Sequence, residues 1–326
     1  MKKLFVFVMA TLLMGTSCSH AAEPVKGVAV PEQLTNGAEF NLYKGSAPGS
    51  ENSKYQEVNF GEGDSFYIIN INDPTLKVFL PEHPNGTSMI VCPGGAFLGL
   101  AMNTEGVAPA EVLVKHGITV FVLKYRPSQM VKDNGEAPSN MIEMVMTMKT
   151  RLEECAAKYS AEHDGQAPNV TQICSQLPHW DFAFADADRA ITLVRQNSEK
   201  WGLNPDKIGI MGFSAGAITS VHQAMVHSET GKPNFVASIY GGWTKDIKAP
   251  KDACPLWLCS PVNDLLAPEE SYDVYRAWRD AKVPTELHTF WDAVHGYGIS
   301  RQGKGVDAWD KMLIQFMRDV NFLETK

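Results

Sequence analysis

A serine between two glycines, in Gly212-Phe213-Ser214-Ala215-Gly216, is the clearest chemical signal in the sequence. An apolar strand-like run, Ile208 to Met211, precedes it, and a helix-like segment follows. At such a strand-to-helix turn the serine hydroxyl is exposed, and glycines are needed because larger side chains would collide. The start of the helix adds partial positive charge beside the hydroxyl. The pattern predicts that Ser214 is a nucleophile; the alternative is an inert serine in a glycine-rich turn.

His295 is the predicted general base. A serine hydroxyl needs a base to attack at neutral pH, and the base needs a carboxylate that orients it. In a fold that alternates strands and helices, both partners follow the serine along the chain. His295 lies in a loop after the predicted strand Thr285 to Phe290, and active sites of such folds form in these loops. The other histidines after Ser214 fall on or near a helix or within a strand, and they receive no catalytic role: His222, His227 and His288.

Asp264 is the predicted orienting acid, because it lies in the loop after the preceding apolar run, Leu256 to Cys259. Its other role would be a cap for the helix that starts near Glu269, although Asp264 is rather far from that start. Two weaker alternatives for the acid are Asp292 and Asp273.

The negative charge that develops during acyl transfer needs hydrogen-bond donors. The backbone N–H of Ala215, directly after the serine, is one candidate. The glycine-rich loop Cys92 to Phe97 follows an earlier strand, and we expect Gly95 and Ala96 to contribute the second donor. A purely structural turn is the alternative for this loop.

Four aromatic residues lie near these loops and are candidates for substrate contacts with a sugar ring: Phe97, Trp180, Trp243 and Tyr297. Aromatic faces suit that role, but the same residues can instead form the core or a pocket wall.

The elements that must position these residues alternate between strands and helices. Predicted strands cover 66–71, 76–80, 88–92, 118–125, 207–211, 235–240, 255–259 and 285–290. Predicted helices cover 106–116, 182–200, 215–226, 269–281 and 306–320. This alternation predicts an α/β fold with a mostly parallel central sheet and helices on both faces. An inserted helical segment, 128–179, interrupts it; its Met-rich helix over about 140–159 either packs in the core or offers a flexible apolar surface.

The first residues are typical of a secretory signal peptide, assigned to 1–21. Lys2 and Lys3 precede an apolar run that is too short to span a bilayer. Cleavage before Ala22 predicts a periplasmic or secreted protein, whereas lipidation of Cys18 predicts a lipoprotein anchored to a membrane. 

Residues 22–65, rich in Gly, Pro, Ser, Asn and Glu, are predicted to form an extended N-terminal arm, and residues 66–326 the catalytic domain.

Composition limits the partners. The chain has 326 residues, with 29 basic and 37 acidic side chains and a formal net charge of −8. An acidic balance argues against nucleic acid. No Cys/His cluster has zinc spacing, so neither a metal nor another cofactor is expected.

The cysteines do not suggest a disulfide framework, because loss of Cys18 from the 6 in the sequence leaves an odd number. Cys92 and Cys259 lie in apolar runs and are expected to be buried thiols. Cys155 and Cys174 fall in one irregular segment, where they either pair or stay free.

Together these residues resemble the serine esterase branch of the α/β-hydrolase superfamily, and within it secreted bacterial acetylxylan-esterase-like proteins. The resemblance covers nearly the whole mature chain. Beyond the Ser214 motif, the matching stretches are Ala47-Pro48-Gly49, Pro74-Thr75-Leu76 through Leu80-Pro81, Pro93-Gly94-Gly95, Leu100-Ala101-Met102, Glu105-Gly106, Asp186 with Arg189-Ala190, Val194-Arg195, Pro205 to Gly209, and His295-Gly296. The triad of that family falls on Ser214, Asp264 and His295. 

The resemblance implies an acetyl ester of a plant polysaccharide or oligosaccharide as the substrate. Three features depart from the family pattern. Ala96 replaces a third glycine, Cys259 stands where the acid loop usually begins with a histidine, and the segment 128–179 is longer than the usual connection.

The expected function is therefore hydrolysis of carboxylic esters through an acyl-enzyme on Ser214. A dipeptidyl- or prolyl-oligopeptidase-like peptidase and a general short-chain carboxylesterase use the same triad and remain alternatives. Peptidases of the related branch usually carry an additional large domain. A non-catalytic binding protein on a hydrolase fold is the third alternative, and the presence of all three catalytic residue types argues against it.

Overall fold

The fold is built on a central sheet of eight strands. The structure is a computed structural model that describes residues 28–62, 66–264 and 269–324. The sheet strands are β1 (Glu39–Asn41), β4 (Thr75–Phe79), β5 (Ser88–Cys92), β6 (Thr119–Lys124), β7 (Ile208–Phe213), β8 (Phe235–Ile239), β9 (Leu256–Pro261) and β10 (Thr285–Phe290). They lie in the order β1-β4-β6-β5-β7-β8-β9-β10. A separate antiparallel pair consists of β2 (Val58–Phe60) and β3 (Tyr67–Ile69).

Along the sheet, from β6 through β5, β7, β8 and β9 to β10, every neighbouring pair of strands is parallel. At one edge, β1 pairs antiparallel with β4, and β4 pairs antiparallel with β6. All residues of β5, β7, β8 and β9 are buried. Strands covered on both faces need continuous apolar runs, which explains why these segments do not alternate between apolar and polar residues. The predicted α/β fold with a mostly parallel sheet is confirmed.

The helices connect these strands. They are α1 (Ala108–Leu113), α2 (Met141–Glu162), α3 (Val170–Cys174), α4 (Phe182–Gln196), α5 (Ala215–Met225), α6 (Glu270–Asp280) and α7 (Trp309–Asp319). A π-helical turn, Asn103–Val107, leads into α1, and a 3-10 turn, Gly305–Ala308, leads into α7. Each predicted helix is present with somewhat different ends.

The described part of the segment predicted as an extended arm, residues 28–62, contributes to the domain. Strand β1 adds to the sheet edge, where Phe40 pairs with Leu76 of β4. Leu42 is fully buried, and the carbonyl of Pro48 accepts a hydrogen bond from the buried Arg126 side chain. A three-residue strand is too short to show an alternating pattern, which is why the sequence did not reveal it.

The two ends of the insertion 128–179 contact each other, because the Ser128 hydroxyl donates a hydrogen bond to the carbonyl of Pro178. Its long helix α2 begins where the Asn140 side chain accepts from the N–H of Glu143, at 3.0 Å. Both interpretations of its methionines apply in part, since Met144 is buried and Met146 is exposed. The polar stretch after α2 contains the short helix α3. 

Cys155 and Cys174 are free thiols in the structure, so the possible pairing is not formed, and Cys92 and Cys259 are buried thiols as predicted. In the described ranges, no helix is both long enough and apolar enough to cross a membrane. The predicted signal peptide and Cys18 lie outside the described residues.

Candidate active site

Ser214 occupies a strained turn between β7 and α5. Its φ angle is +52°, a left-handed conformation that costs a non-glycine residue free energy and that clusters at functional sites. A Cβ on Gly212 would lie 2.0 Å from the carbonyl oxygen of Gly216, and a Cβ on Gly216 would lie 2.0 Å from that of Cys92. The two glycines of the motif are therefore required by close backbone contacts, as the sequence predicted.

Three side chains from different loops form a continuous hydrogen-bonded chain. Nε2 of His295 lies 2.8 Å from Oγ of Ser214, and Nδ1 lies 2.9 Å from Oδ2 and 3.1 Å from Oδ1 of Asp264. The Asp264 side chain is fully buried and that of His295 is 17% exposed. Because a carboxylate only accepts hydrogen bonds, it assigns the imidazole proton to Nδ1 and leaves Nε2 free to accept the serine proton.

The other histidines after Ser214 and the two weaker alternatives for the acid contact other groups. The ring of His222 stacks on Phe184 with centroids 3.9 Å apart, and burial lowers its pKa to about 4, so it is uncharged at neutral pH. His288 contacts Glu286, and His227 lies 3.9 Å from Asp252. Asp292 pairs with Lys304, and Asp273 with Arg276.

The loop after β5, which is predicted to supply an oxyanion donor, turns sharply and has positive φ angles at successive residues. Gly95 and Ala96 have φ angles of +141° and +56°. A Cβ on Gly95 would lie 2.1 Å from the carbonyl oxygen of Gly99, so only glycine fits there. The N–H of Gly94 is already used, because it donates to Glu105 Oε2 at 2.8 Å. The N–H groups of Gly95 and Ala96 remain as candidates beside that of Ala215, which starts α5 and so has no acceptor within its helix.

Two buried carboxyl groups near His295 had no role in the sequence interpretation. Glu105 accepts from the N–H of Gly94 and from Tyr240 Oη at 2.8 Å each. Burial raises the pKa of Glu105, and these two hydrogen bonds oppose the change. The Glu105-Gly106 pair, one of the stretches that resemble the family, was the signal that could have identified it.

The second group, Glu270, begins α6. Its Oε1 accepts from the N–H of Thr171 at 3.2 Å, whereas no partner for Oε2 is found within the described ranges. Burial raises the pKa of Glu270 to about 7, and the negative charge of Asp264 also raises it. Through its contact with Thr171, this carboxyl group connects the insertion to the surroundings of Asp264.

The predicted aromatic contacts need correction. Phe97 is completely buried and Tyr297 is 3% exposed, so neither presents a ring face to a substrate. The Phe97 ring packs edge-on against Trp180, and the Tyr297 hydroxyl contacts Cys259 Sγ at 2.8 Å. Their loops fold back into the core, which the sequence did not show. Trp180 and Trp243 are half-buried, and their rings stack with centroids 5.9 Å apart.

A surface depression of about 470 Å³ lies away from this chemistry. It is lined by residues before β5 and before β6, which are at the opposite ends of the parallel strands, and its lining includes His83, Lys115 and His116. Within the described ranges, no group of three His, Cys, Asp or Glu side chains is arranged to hold a metal ion.

The fold and the serine turn define the class of structure: the chain has the α/β-hydrolase fold. Solved structures with this fold include an acetyl ester-xyloside bifunctional hydrolase from Caldicellulosiruptor lactoaceticus. It has a TM-score of 0.57 and 19% identity, over 89% of this chain and 98% of that one. Thermogutta terrifontis esterase 2 with bound butyrate has a TM-score of 0.52 and 17% identity, over 78% of this chain and 92% of that one.

The sequence comparisons are more specific. The BD-FAE family model matches residues 169–239, which include the Ser214 turn. An acetylxylan esterase from Xylanibacter ruminicola is 27% identical over 180 residues, which is 53% of this chain. The aligned part is only 27% of the length of that relative, so the chain spans a minor part of the protein that it matches.

Proposed function

We propose that the chain is a serine hydrolase of carboxylic esters, with Ser214 as nucleophile, His295 as general base and Asp264 as its orienting acid. The observation that carries the proposal is the 2.8 Å contact between Ser214 Oγ and His295 Nε2, backed by the buried Asp264 carboxylate. The similarity to an acetylxylan esterase supports an ester as the substrate.

The first half-reaction acylates the serine. Oγ of Ser214 attacks the ester carbonyl while Nε2 of His295 takes its proton, and Asp264 stabilises the imidazolium that forms. The oxyanion accepts hydrogen bonds from the N–H of Ala215 and from the Gly95–Ala96 segment. Collapse of the intermediate breaks the bond to the alcohol, which leaves with the proton from His295.

The second half-reaction restores the enzyme. Water enters where the alcohol left, and His295 removes a proton from it as it attacks the acyl carbon. The same N–H groups stabilise the second oxyanion. The carboxylic acid departs, and Ser214 regains its proton from His295.

The proposed substrate class is acetylated plant polysaccharide or oligosaccharide. The similarities to the acetylxylan esterase and to the acetyl ester-xyloside hydrolase support it. The stacked pair Trp180 and Trp243 is an aromatic surface that is partly open to solvent, and Trp180 packs against Phe97 of the loop after β5. Aromatic rings with one exposed face can pack against the apolar face of a sugar.

The test compares four substrates, three esters and a peptide anilide, with wild type and Ser214→Ala. We expect wild type to release acetate from acetylated xylo-oligosaccharides and to hydrolyse p-nitrophenyl acetate faster than p-nitrophenyl octanoate, and Ser214→Ala to do neither. Turnover of peptide anilides instead of esters would contradict the proposal. Activity on p-nitrophenyl acetate without acetate release from the oligosaccharides would reject the substrate class and retain the ester hydrolase.

We also propose that the protein is exported, either secreted into the periplasm or medium or anchored through Cys18. The support is the pattern of residues 1–21. Fractionation of cells that express wild type and Cys18→Ala distinguishes the routes. A membrane-bound wild type released by Cys18→Ala indicates the lipoprotein, and a cytosolic wild type contradicts export.

A further inference from the structure

A buried carboxyl group connects the two loops that the proposed mechanism uses. Glu105 lies in the π-helical turn before α1 and is 6% exposed. It is not part of the Ser214–His295–Asp264 chain. Burial of a carboxyl group away from water is costly unless hydrogen bonds compensate for it, so its contacts indicate what it holds in place.

On one side, Glu105 holds the oxyanion loop. Its Oε2 accepts from the N–H of Gly94 at 2.8 Å, directly before the two residues proposed as donors. A Cβ on Gly94 would lie 2.4 Å from this oxygen, so the loop and the carboxyl group are in closest contact only because position 94 is glycine.

On the other side, Glu105 holds the histidine loop through Tyr240. Oε1 accepts from Tyr240 Oη at 2.8 Å, and Oη in turn accepts from the N–H of Gly298 at 3.0 Å. Gly298 is three residues beyond His295. The Tyr240 ring also packs against the His295 ring, with centroids 4.9 Å apart.

We propose that Glu105 is a positioning residue that sets the oxyanion loop and the histidine loop relative to Ser214, through Gly94 and through Tyr240. The inference rests on the proposed function. Both oxygens accept in this arrangement: Oε2 from the N–H of Gly94, which can only donate, and Oε1 from the Tyr240 hydroxyl. Glutamine has one carbonyl oxygen and one NH₂ group, so Glu105→Gln places a donor where one of these two acceptors stood.

The test measures Glu105→Gln, Tyr240→Phe and the double variant, with Tyr43→Phe as the matched control. Tyr43 also donates to a buried carboxylate, Asp186, at 2.9 Å, but it has no contact with either loop. The readouts are kcat and KM for p-nitrophenyl acetate, the rate at which paraoxon phosphorylates Ser214, and the melting temperature. In the paraoxon reaction Oγ forms the bond to phosphorus, p-nitrophenolate leaves, and His295 takes the serine proton.

Displacement of reacting groups by about 1 Å costs roughly a hundredfold in rate, so we expect kcat and the phosphorylation rate to fall about ten- to a hundredfold in each single variant. KM should stay within about twofold, because the affected interactions belong to the transition state. The double variant should lose less than the product of the single losses, because the hydrogen bond between Tyr240 and Glu105 is lost or weakened in either single variant. Tyr43→Phe should retain the wild-type kcat whatever its melting temperature.

Wild-type kcat in Glu105→Gln, or losses that multiply in the double variant, would overturn the positioning role. A wild type that paraoxon phosphorylates but that hydrolyses no ester would reject the ester substrate, and the phosphorylation rates of the variants would then decide the role of Glu105. A wild type that reacts with neither reagent would overturn both proposals.

Discussion

The carboxylate of Asp264 contacts Nδ1 of His295 through both of its oxygens, at 2.9 and 3.1 Å, although the two residues are 31 positions apart. Asp264 follows β9 and His295 follows β10, and these strands are parallel neighbours. The carboxyl ends of parallel strands meet at one edge of a sheet, so the strand pairing brings these two loops together.

Asp264→Asn should preserve the shape of the site but favour the wrong imidazole tautomer, because the amide can donate to Nδ1. We expect kcat for p-nitrophenyl acetate to fall by about 10³- to 10⁴-fold with little change in KM. Asp292→Asn is the matched control, since Asp292 is the same residue type near His295 but pairs with Lys304 at the surface. Equal losses in both variants would contradict the assignment of the acid.

Substitution in the oxyanion loop should depend on the exact backbone position. Gly95→Ala places a Cβ 2.1 Å from the Gly99 carbonyl oxygen, so the loop must move, and we expect kcat to fall about a hundredfold or more. Ala96→Gly should retain kcat, because glycine adopts the φ of +56° at that position more readily than alanine. Steady-state kinetics of the two variants checks this, and a fully active Gly95→Ala would contradict the assigned loop.

Glu270 should make stability depend on pH. Its folded-state pKa of about 7 lies above the ordinary value of 4.5, so its stabilising contribution is complete below about pH 4.5 and is lost as the pH rises through 7. Glu270→Gln cannot ionise. We therefore expect the melting temperature of the variant relative to wild type to increase between about pH 5 and pH 8, by about 2–4 °C for each kcal/mol.

The adjacent Glu269 is exposed, which makes Glu269→Gln the control for a general effect of charge. Its melting temperature should follow wild type across the same range. A constant difference between Glu270→Gln and wild type at all pH values would show that the buried carboxyl group does not titrate there.

Trp243 should contribute to substrate range more than to chemistry. It stacks on Trp180 and is two residues after Gly241, where a Cβ would lie 2.8 Å from the Ser214 carbonyl oxygen. An aromatic contact of about 1 kcal/mol predicts that Trp243→Ala raises KM for acetylated xylo-oligosaccharides by roughly five- to tenfold. KM for p-nitrophenyl acetate should change much less, and equal changes for both substrates would exclude a sugar contact.

The sequence predicted the parts of the site that depend on local rules. The flanking glycines predict a tight turn at Ser214, and Asp264 and His295 each lie in the loop after a predicted strand. Chain order and strand ends are visible without any knowledge of side-chain contacts. The sequence therefore predicted which loops meet, and the structure places those three side chains within hydrogen-bond distance.

Other parts depend on long-range packing, which the sequence does not show. Phe97 was expected near the substrate, but its loop turns back with a φ of +55° and buries the ring. The connection from Gly94 through Glu105 and Tyr240 to Gly298 joins four separate segments. These four residues are of common types and form no recognisable sequence motif, so only their positions in space reveal the connection.

We expect ester hydrolysis to proceed through an acyl group on Ser214. The most direct measurement is a rapid-quench reaction of wild type with p-nitrophenyl acetate, followed by mass analysis of the peptide that contains Ser214. We expect a burst of p-nitrophenol equal to the enzyme concentration and one acetyl group on Ser214. Both should be absent in Ser214→Ala. Hydrolysis that continues in Ser214→Ala, or an acetyl group on another residue of wild type, would contradict this mechanism.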